Sequence, residues 1–279
     1  MIVKKPSPLE RAVEFSYPPR EWEEYRTALW YHEQSKFGKR KSEKDFVHIG
    51  QIRQNPSLVA TMTKHFKIYP DVEYISLPSV VDLLSSEGMS LEEAIIRRRS
   101  VRTFSKQSMP FDVLARLLVF SYGITGEMPY DTGDVQYLRA SPSAGALYPL
   151  EVYPVVFRVE GLEPGLYHYA VRKNAIGLLK KGDFSEFLVS LWTEQQMVRE
   201  ACVMFFLTAY PLRTLRKYRE RGLRFLYLDA GHMAEHLYLL ATAYGFGACA
   251  LGGAYDREVE KWIGIDGLQE TLLYGVVVG

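Results

Sequence analysis

Cysteine is scarce in this chain of 279 residues: there are two, Cys202 and Cys249. That excludes a disulfide scaffold and any all-cysteine metal cluster. Both lie in apolar runs, ACVMFF and GACALGG, where small buried thiols are expected. Long apolar runs are lacking too. The longest, ACVMFFLTAY over 201–210, falls short of the ~18 residues of a bilayer span and predicts a buried strand instead. The N-terminal MIVKKPSPLERAVEFSYPP has no apolar signal core, so a soluble protein of a reducing, cytoplasmic compartment is expected, with no membrane partner. Charge of one sign is absent: 34 Lys and Arg against 33 Asp and Glu leave a net +1. Such a balance argues against a nucleic-acid-binding protein. A dinucleotide fingerprint is missing as well, since Gly245, Gly247, Gly252 and Gly253 follow a helix and lack the G-x-G-x-x-G spacing.

What remains is a globular composition, 47% apolar and 24% charged, long enough for one large core. Residues 1–88 read as an N-terminal extension. A helix is expected after Pro19, with Trp22, Tyr25 and Leu29 on one face, then a charged loop from Lys36 to Lys44. A second region, 89–279, opens on the capping box Ser90-Leu91-Glu92-Glu93, whose helix ends in Arg97, Arg98 and Arg99. Pro110 opens another helix, with Leu114, Leu117, Leu118 and Ser121 on one face and Gly123 as its stop. Residues 124–149 read as loop. Strands are expected at 151–159, with Pro154 at an edge or bulge, in a hairpin of 166–170 and 175–179, and at 201–210, 248–251 and 271–278. A short amphipathic helix near Phe184–Leu191, a long one from Leu223 to Tyr244 and another from Asp256 to Trp262 complete the pattern. Strands and helices mix without strict alternation, which predicts an α+β fold.

Five motifs carry chemistry. Arg98, Arg99, Ser100 and Arg102 offer guanidinium forks and a hydroxyl suited to phosphate oxygens, although cations at a helix C-terminus would explain Arg97 to Arg99 alone. Ser141-Pro142-Ser143-Ala144-Gly145 is either a turn-rich loop or a small-residue segment that lets a ligand approach the backbone. Leu251-Gly252-Gly253 follows a strand and frees backbone N–H groups, or is a simple turn. Lys217-Tyr218 lies in the run Arg213 to Arg224, which holds five arginines and one lysine against one glutamate. Repulsion and burial there would favour a neutral lysine able to act as a base; a basic surface loop is the alternative. His232-Met233-Ala234-Glu235-His236 matches an inverted zinc-peptidase pattern, but two histidines lack a third ligand, and no metal is expected.

Taken jointly, RRSVRTF, SPSAGALYPLEVY, GLYHY, KYRERGLRFLYLDAGHMAEHLYLLATAYG and the GG segment resemble the flavin-dependent nitroreductase family. The closest likeness is to its SagB-type dehydrogenase branch, which includes azoline oxidases of thiazole- and oxazole-modified peptides. Tyr31-His32-Glu33 also looks like that branch. The resemblance implies an α/β sandwich with a mainly antiparallel central sheet flanked by helices, a homodimer, and FMN at the dimer interface. It implies that Arg98, Arg99, Ser100 and Arg102 hold the phosphate and ribityl chain. Pro142, Ser143, Ala144 and Gly145 would come from the other subunit to the isoalloxazine ring, with Leu251, Gly252 and Gly253 near its reactive edge. Lys217 and Tyr218 would be the catalytic pair, taking a proton from a thiazoline or oxazoline ring while the flavin takes hydride. Two other functions fit the same resemblance: a general NAD(P)H-dependent nitroreductase or quinone reductase, and a non-catalytic partner in a cyclodehydratase complex. Many family members continue past the final strand with a basic segment at the flavin phosphate. This sequence ends at Val278-Gly279, leaving that phosphate to Arg98 and Arg102 or to residues beyond it.

Overall fold

A computed structural model describes residues 26–36, 47–52, 54–84, 88–193 and 195–279. The chain divides into two compact units, Met1–Val47 and His48–Gly279. In the first, α1 is Arg26–Gln34. The expected positions Trp22 and Tyr25, and the charged loop beyond Lys36, lie outside the described residues.

The second unit begins with a helical stretch over 48–52, followed by α2 (Pro56–Thr63). Asn55 caps α2 by accepting the Leu58 N–H at 3.2 Å. Next come β1 (Tyr74–Ser76) and α3 (Val80–Leu83), so residues 48–88, counted on sequence with the extension, contribute a strand and a buried Leu83 to this unit. α4 (Leu91–Arg97) starts at Ser90, whose Oγ accepts the Glu93 N–H at 3.2 Å. The capping box is half of what was expected, because the Glu93 carboxylate pairs with Arg97 one turn on, at 2.5 Å. α5 (Phe111–Tyr122) runs from Pro110 to Gly123, and Leu114, Leu117, Leu118 and Ser121 are all buried.

Residues 124–149 are not simply loop. They form a hairpin of β2 (Ile124–Pro129) and β3 (Val135–Arg139). Gly126, Pro129 and the Asp131-Thr132-Gly133-Asp134 turn dilute the apolar pattern, and β2 is mostly exposed while β3 is largely half-buried, so the period-two signal is weak.

The remaining strands are β4 (Leu150–Val156), β5 (Gly165–Ala170), β6 (Ala175–Lys181), β7 (Val203–Ala209), β8 (Ala248–Leu251) and β9 (Thr271–Val278). With β1 they make a seven-stranded sheet ordered β1-β6-β5-β4-β7-β9-β8, in which every ladder is antiparallel. The β5–β6 turn places Asn174 in the left-handed region, φ 46°. Pro154 stands inside the sheet rather than on an edge strand. It is tolerated because β5 pairs only with Val155 and Val156, so β7 is the one ladder neighbour at Pro154.

Helices cover both faces of this sheet. α6 (Ser185–Leu191), α7 (Met197–Glu200) and α10 (Asp256–Ile263) pack on one; α5 and the long α9 (Gly222–Ala243) pack on the other. Phe205, Leu207, Val276 and Val278 join Leu117, Met233 and Leu237 in one core. Met204, Phe206 and Val277 join Leu188, Trp192 and Val259 in the other. A strand buried on both faces needs apolar residues at every position, which is why 201–210 reads as an unbroken run. α8 (Pro211–Tyr218) links β7 to α9. Among the described residues no helix is long and apolar enough to cross a membrane.

The packing separates two apolar substitutions. Leu118→Ala, at 0% exposure, should cost about 2–5 kcal/mol, whereas Ile96→Ala, at 71%, should stay within about 0.5 kcal/mol. Urea midpoints of both variants check this; equal losses would contradict the assigned core.

Candidate active site

Among the described residues, the segment after β3 holds the densest run of left-handed backbone. Gly145, Ala146 and Tyr148 have φ of 64°, 54° and 44°. Left-handed backbone is costly for residues with a Cβ, and it persists only where surrounding contacts impose it. Here a ladder of hydrogen bonds does so. Ser143 Oγ donates to Asp229 Oδ2 at 2.5 Å and accepts the Tyr148 N–H at 2.9 Å. The Tyr148 hydroxyl accepts the Arg139 N–H at 3.0 Å, and the Tyr148 carbonyl accepts from Arg213 Nη1 at 3.2 Å.

This loop lies against Lys217 and Tyr218 at the end of α8. A Cβ at Gly145 would overlap the Tyr218 hydroxyl and stand 2.6 Å from Lys217 Nζ. Two motifs 72 residues apart in sequence thus meet, and the missing Cβ at Gly145 leaves the room that these two side-chain ends occupy. Lys217 is buried, 3% exposed, and Tyr218 packs edge-on against Phe225 at 4.9 Å. The reversal that follows puts Arg219 at φ 50°.

Two buried carboxylates support the arrangement, and sequence reading missed both. Asp229, on α9, is pushed up to about 6 by burial, against the lowering effect of its bonds to Ser143 and the Ala144 backbone. Burial likewise works against ionised Glu151, but the Arg213 guanidinium and then His168 hold it down to about 2. Arg213 Nη2 meets Glu151 Oε1 at 2.7 Å, and His168 Nε2 meets Oε2 at 3.0 Å. The pair fixes α8 to β4, and with it the position of Lys217. Asp229 had a signal: it falls among Leu226, Ala230, Met233 and Leu237, the core-facing positions of α9.

The Arg98–Arg102 segment and the glycine pair also come together. Ser100 bridges to Ala248 in parallel, and the Val101 N–H donates to the Ala248 carbonyl at 2.9 Å. Tyr238 joins them: its hydroxyl lies 3.2 Å from Ser100 Oγ and accepts the Ala250 N–H at 2.6 Å, while its ring lies 5.4 Å from the Arg98 guanidinium carbon. Arg99 folds back onto the carbonyls of Ile96 and Arg98, at 2.8 and 2.6 Å, as a cation closing a helix end. Among the described residues Arg102 Nη1 reaches only the Ser100 carbonyl, at 3.4 Å. Among the described residues no carboxylate pairs with Arg98, Arg99 or Arg102.

Within one chain these are two clusters, not one. Asp229 anchors the first and Tyr238 the second, nine residues apart on α9, or roughly 13 Å along the axis at ~1.5 Å per residue. The His232 and His236 pair gathers no third ligand among the described residues. His232 is exposed. His236 Nδ1 lies 3.1 Å from Ser141 Oγ, whose own proton goes to the Ser121 carbonyl at 2.7 Å.

Comparison with known proteins places this geometry. The sequence matches the Nitroreductase family over residues 95–279. It is 32% identical over 191 residues to a protein of Methanocaldococcus jannaschii that carries a provisional nitroreductase name, covering 68% of this chain and 89% of that one. It is 23% identical to the microcin B17-processing protein McbC of Escherichia coli, covering 80% of this chain and 81% of the relative. The E. coli microcin synthetase McbBCD complex, with truncated pro-MccB17 bound, contains a chain of like fold at TM-score 0.56 and 23% identity, with 80% of each chain covered. A solved nitroreductase-like chain of Anabaena variabilis aligns at TM-score 0.61 and 28% identity, with 75% of this chain covering 42% of that one. The chain belongs to the nitroreductase family, and it is similar to microcin- and trifolitoxin-processing proteins. Membership supports an oxidoreductase.

Two outcomes test the site. Asp229 takes up its proton more readily folded than unfolded, so between pH ~4 and 6 its contribution to stability falls as pH rises. The loss should total roughly 1–3 kcal/mol, and Asp229→Asn should remove that slope in urea titrations at successive pH values. Gly145→Ala should cut turnover at least about tenfold by displacing Lys217 or Tyr218; wild-type turnover would contradict the contact.

Proposed function

We propose that this protein is an FMN-dependent dehydrogenase that oxidises thiazoline or oxazoline rings of a modified peptide to the azole, acting as a homodimer. The observation that carries the reading is the contact of buried Lys217 and Tyr218 with the strained Gly145 loop, in a chain related to McbC.

The residues fit FMN. Arg98, Arg99 and Arg102 have no acidic partner among the described residues, and Ser100 stands beside them, a donor set suited to a phosphate. At Gly252 a Cβ would meet nothing within 4 Å and φ is not positive, so neither packing nor conformation within this chain asks for glycine. An open backbone there suits close approach by a planar ring. Gly253 and Leu251 continue the segment, and Pro142, Ser143, Ala144 and Gly145 would face the ring from the other subunit. That division agrees with the separation of the two clusters along α9. When bound, FMN supplies a two-electron acceptor.

Lys217 Nζ takes the proton from one ring carbon, whose C–H electron pair enters the forming double bond as the C–H bond of the neighbouring ring carbon breaks; that second hydrogen would leave as hydride to bound FMN. Tyr218 orients the amine and the ring nitrogen through its hydroxyl. The Arg213–Glu151 pair holds α8 in place, and the Ser143–Asp229 bond holds the loop that confines Lys217. A positioned base contributes about 10²–10⁴-fold. McbC has its place in a synthetase complex with a peptide precursor; by likeness, a cyclodehydratase complex is the partner proposed for this chain.

Lys217→Ala should therefore bind FMN normally and lose azoline oxidation by at least about 100-fold, with Tyr218→Phe intermediate. Single-turnover bleaching of the flavin by a thiazoline substrate reads this directly. Unchanged turnover in Lys217→Ala, with rapid flavin reduction by NAD(P)H, would point instead to a general nitroreductase.

A further inference from the structure

A cavity of about 170 Å³ opens beside Lys217. One wall is apolar: Ile52, Leu58 and Met62 come from the helical stretch 48–52 and from α2. The facing wall is α8, with Arg213, Arg216 and Lys217. His48, Thr61 and His65 complete the polar lining, and no carboxylate is among the described lining residues. We propose that this cavity receives a carboxylate-bearing portion of the substrate, its hydrocarbon part against Ile52, Leu58 and Met62 and its negative charge on Arg216.

The charge accounting selects Arg216. Arg213 is committed to Glu151 and the Tyr148 carbonyl. Arg216 has no carboxylate within ion-pair distance among the described residues, and it is an exposed residue that lines the cavity. The backbone of α8 is held from the other wall, where His48 Nε2 meets the Arg216 carbonyl at 2.8 Å. The surroundings are strongly positive. His65 is pushed down to about 4, by burial first and then by Arg213, Arg216 and Arg139, with Glu151 opposing only weakly. Arg139 adds a buried guanidinium whose Nε and Nη1 have no hydrogen-bond partner among the described residues. A net positive field in a half-apolar cavity favours an anion carried on a hydrophobic stem. The volume is below the ~300 Å³ of a pocket that encloses a whole small molecule, so it holds one residue-sized portion of a larger substrate or a small acid.

The inference rests on the reading of Lys217 as the base, and it deepens that reading by naming a substrate class. It is tested by calorimetry on the flavin-loaded protein with three inert product analogues: 2-phenylthiazole-4-carboxylate, its 4-carboxamide, and a C-terminally amidated thiazole peptide carrying one glutamate. At least one of the two acids should bind at least about tenfold more tightly than the carboxamide. Arg216→Gln should bring the ratio within about twofold, and Arg216→Lys should restore part of it. Tighter binding of the glutamate peptide assigns the charge to a peptide side chain; tighter binding of the ring acid assigns it to a free heterocyclic acid. Equal affinities for acids and carboxamide, no binding of any of the three, or a preference that survives Arg216→Gln overturns the inference. The separate readout is flavin bleaching by the corresponding thiazolines. Bleaching that depends on Lys217 without acid preference leaves the proposed function standing and removes this inference. Acid preference lost in Arg216→Gln, without bleaching, does the reverse.

Discussion

The Ser143–Asp229 hydrogen bond is the constraint on which the site depends. Without it, three residues with left-handed backbone would relax, and the loop at Gly145 would no longer confine Lys217 and Tyr218. A carboxylate buried for this purpose is costly, which is why its affinity for a proton rises to about 6. The second buried carboxylate, Glu151, takes the opposite course. Its guanidinium and imidazole partners keep it ionised, and it locks α8 against the sheet. One helix and one loop, each fixed by a buried acid, thus meet at a lysine.

The sheet explains why the parts arrive where they do. Every ladder in it is antiparallel and both faces are covered, so the central strands carry apolar residues throughout and spare few positions for chemistry. The candidate site segments lie at the strand ends: α8 after β7, the strained loop before β4, the glycine pair after β8. α9 spans the two clusters and supplies an anchor to each, Asp229 near its start and Tyr238 a little over two turns later.

Much of this was legible from residues. The α5 face, the 201–210 strand, the β5–β6 hairpin and the limits of α9 follow from periodicity, glycine stops and turn residues, because local pattern and burial agree there. The β2–β3 hairpin was not legible, since β2 is mostly exposed and punctuated by Gly126 and Pro129. The five motifs were visible as sequence, but not their pairing. That Gly145 touches Lys217, or that Ser100 bridges to Ala248, depends on sheet order, which periodicity does not encode. Asp229 and Glu151 were passed over because a lone acid in an apolar segment reads as an interruption until its partner is known. Residues 48–65 were counted with an appended extension, yet they wall the cavity beside the candidate base.

The central claim is that the arginine and glycine clusters serve a flavin. The visible absorption spectrum of the purified protein, with the released chromophore identified by mass, tests it most directly. The account predicts a yellow protein releasing FMN at about one equivalent per chain. A colourless protein that also fails to take up added FMN would contradict it.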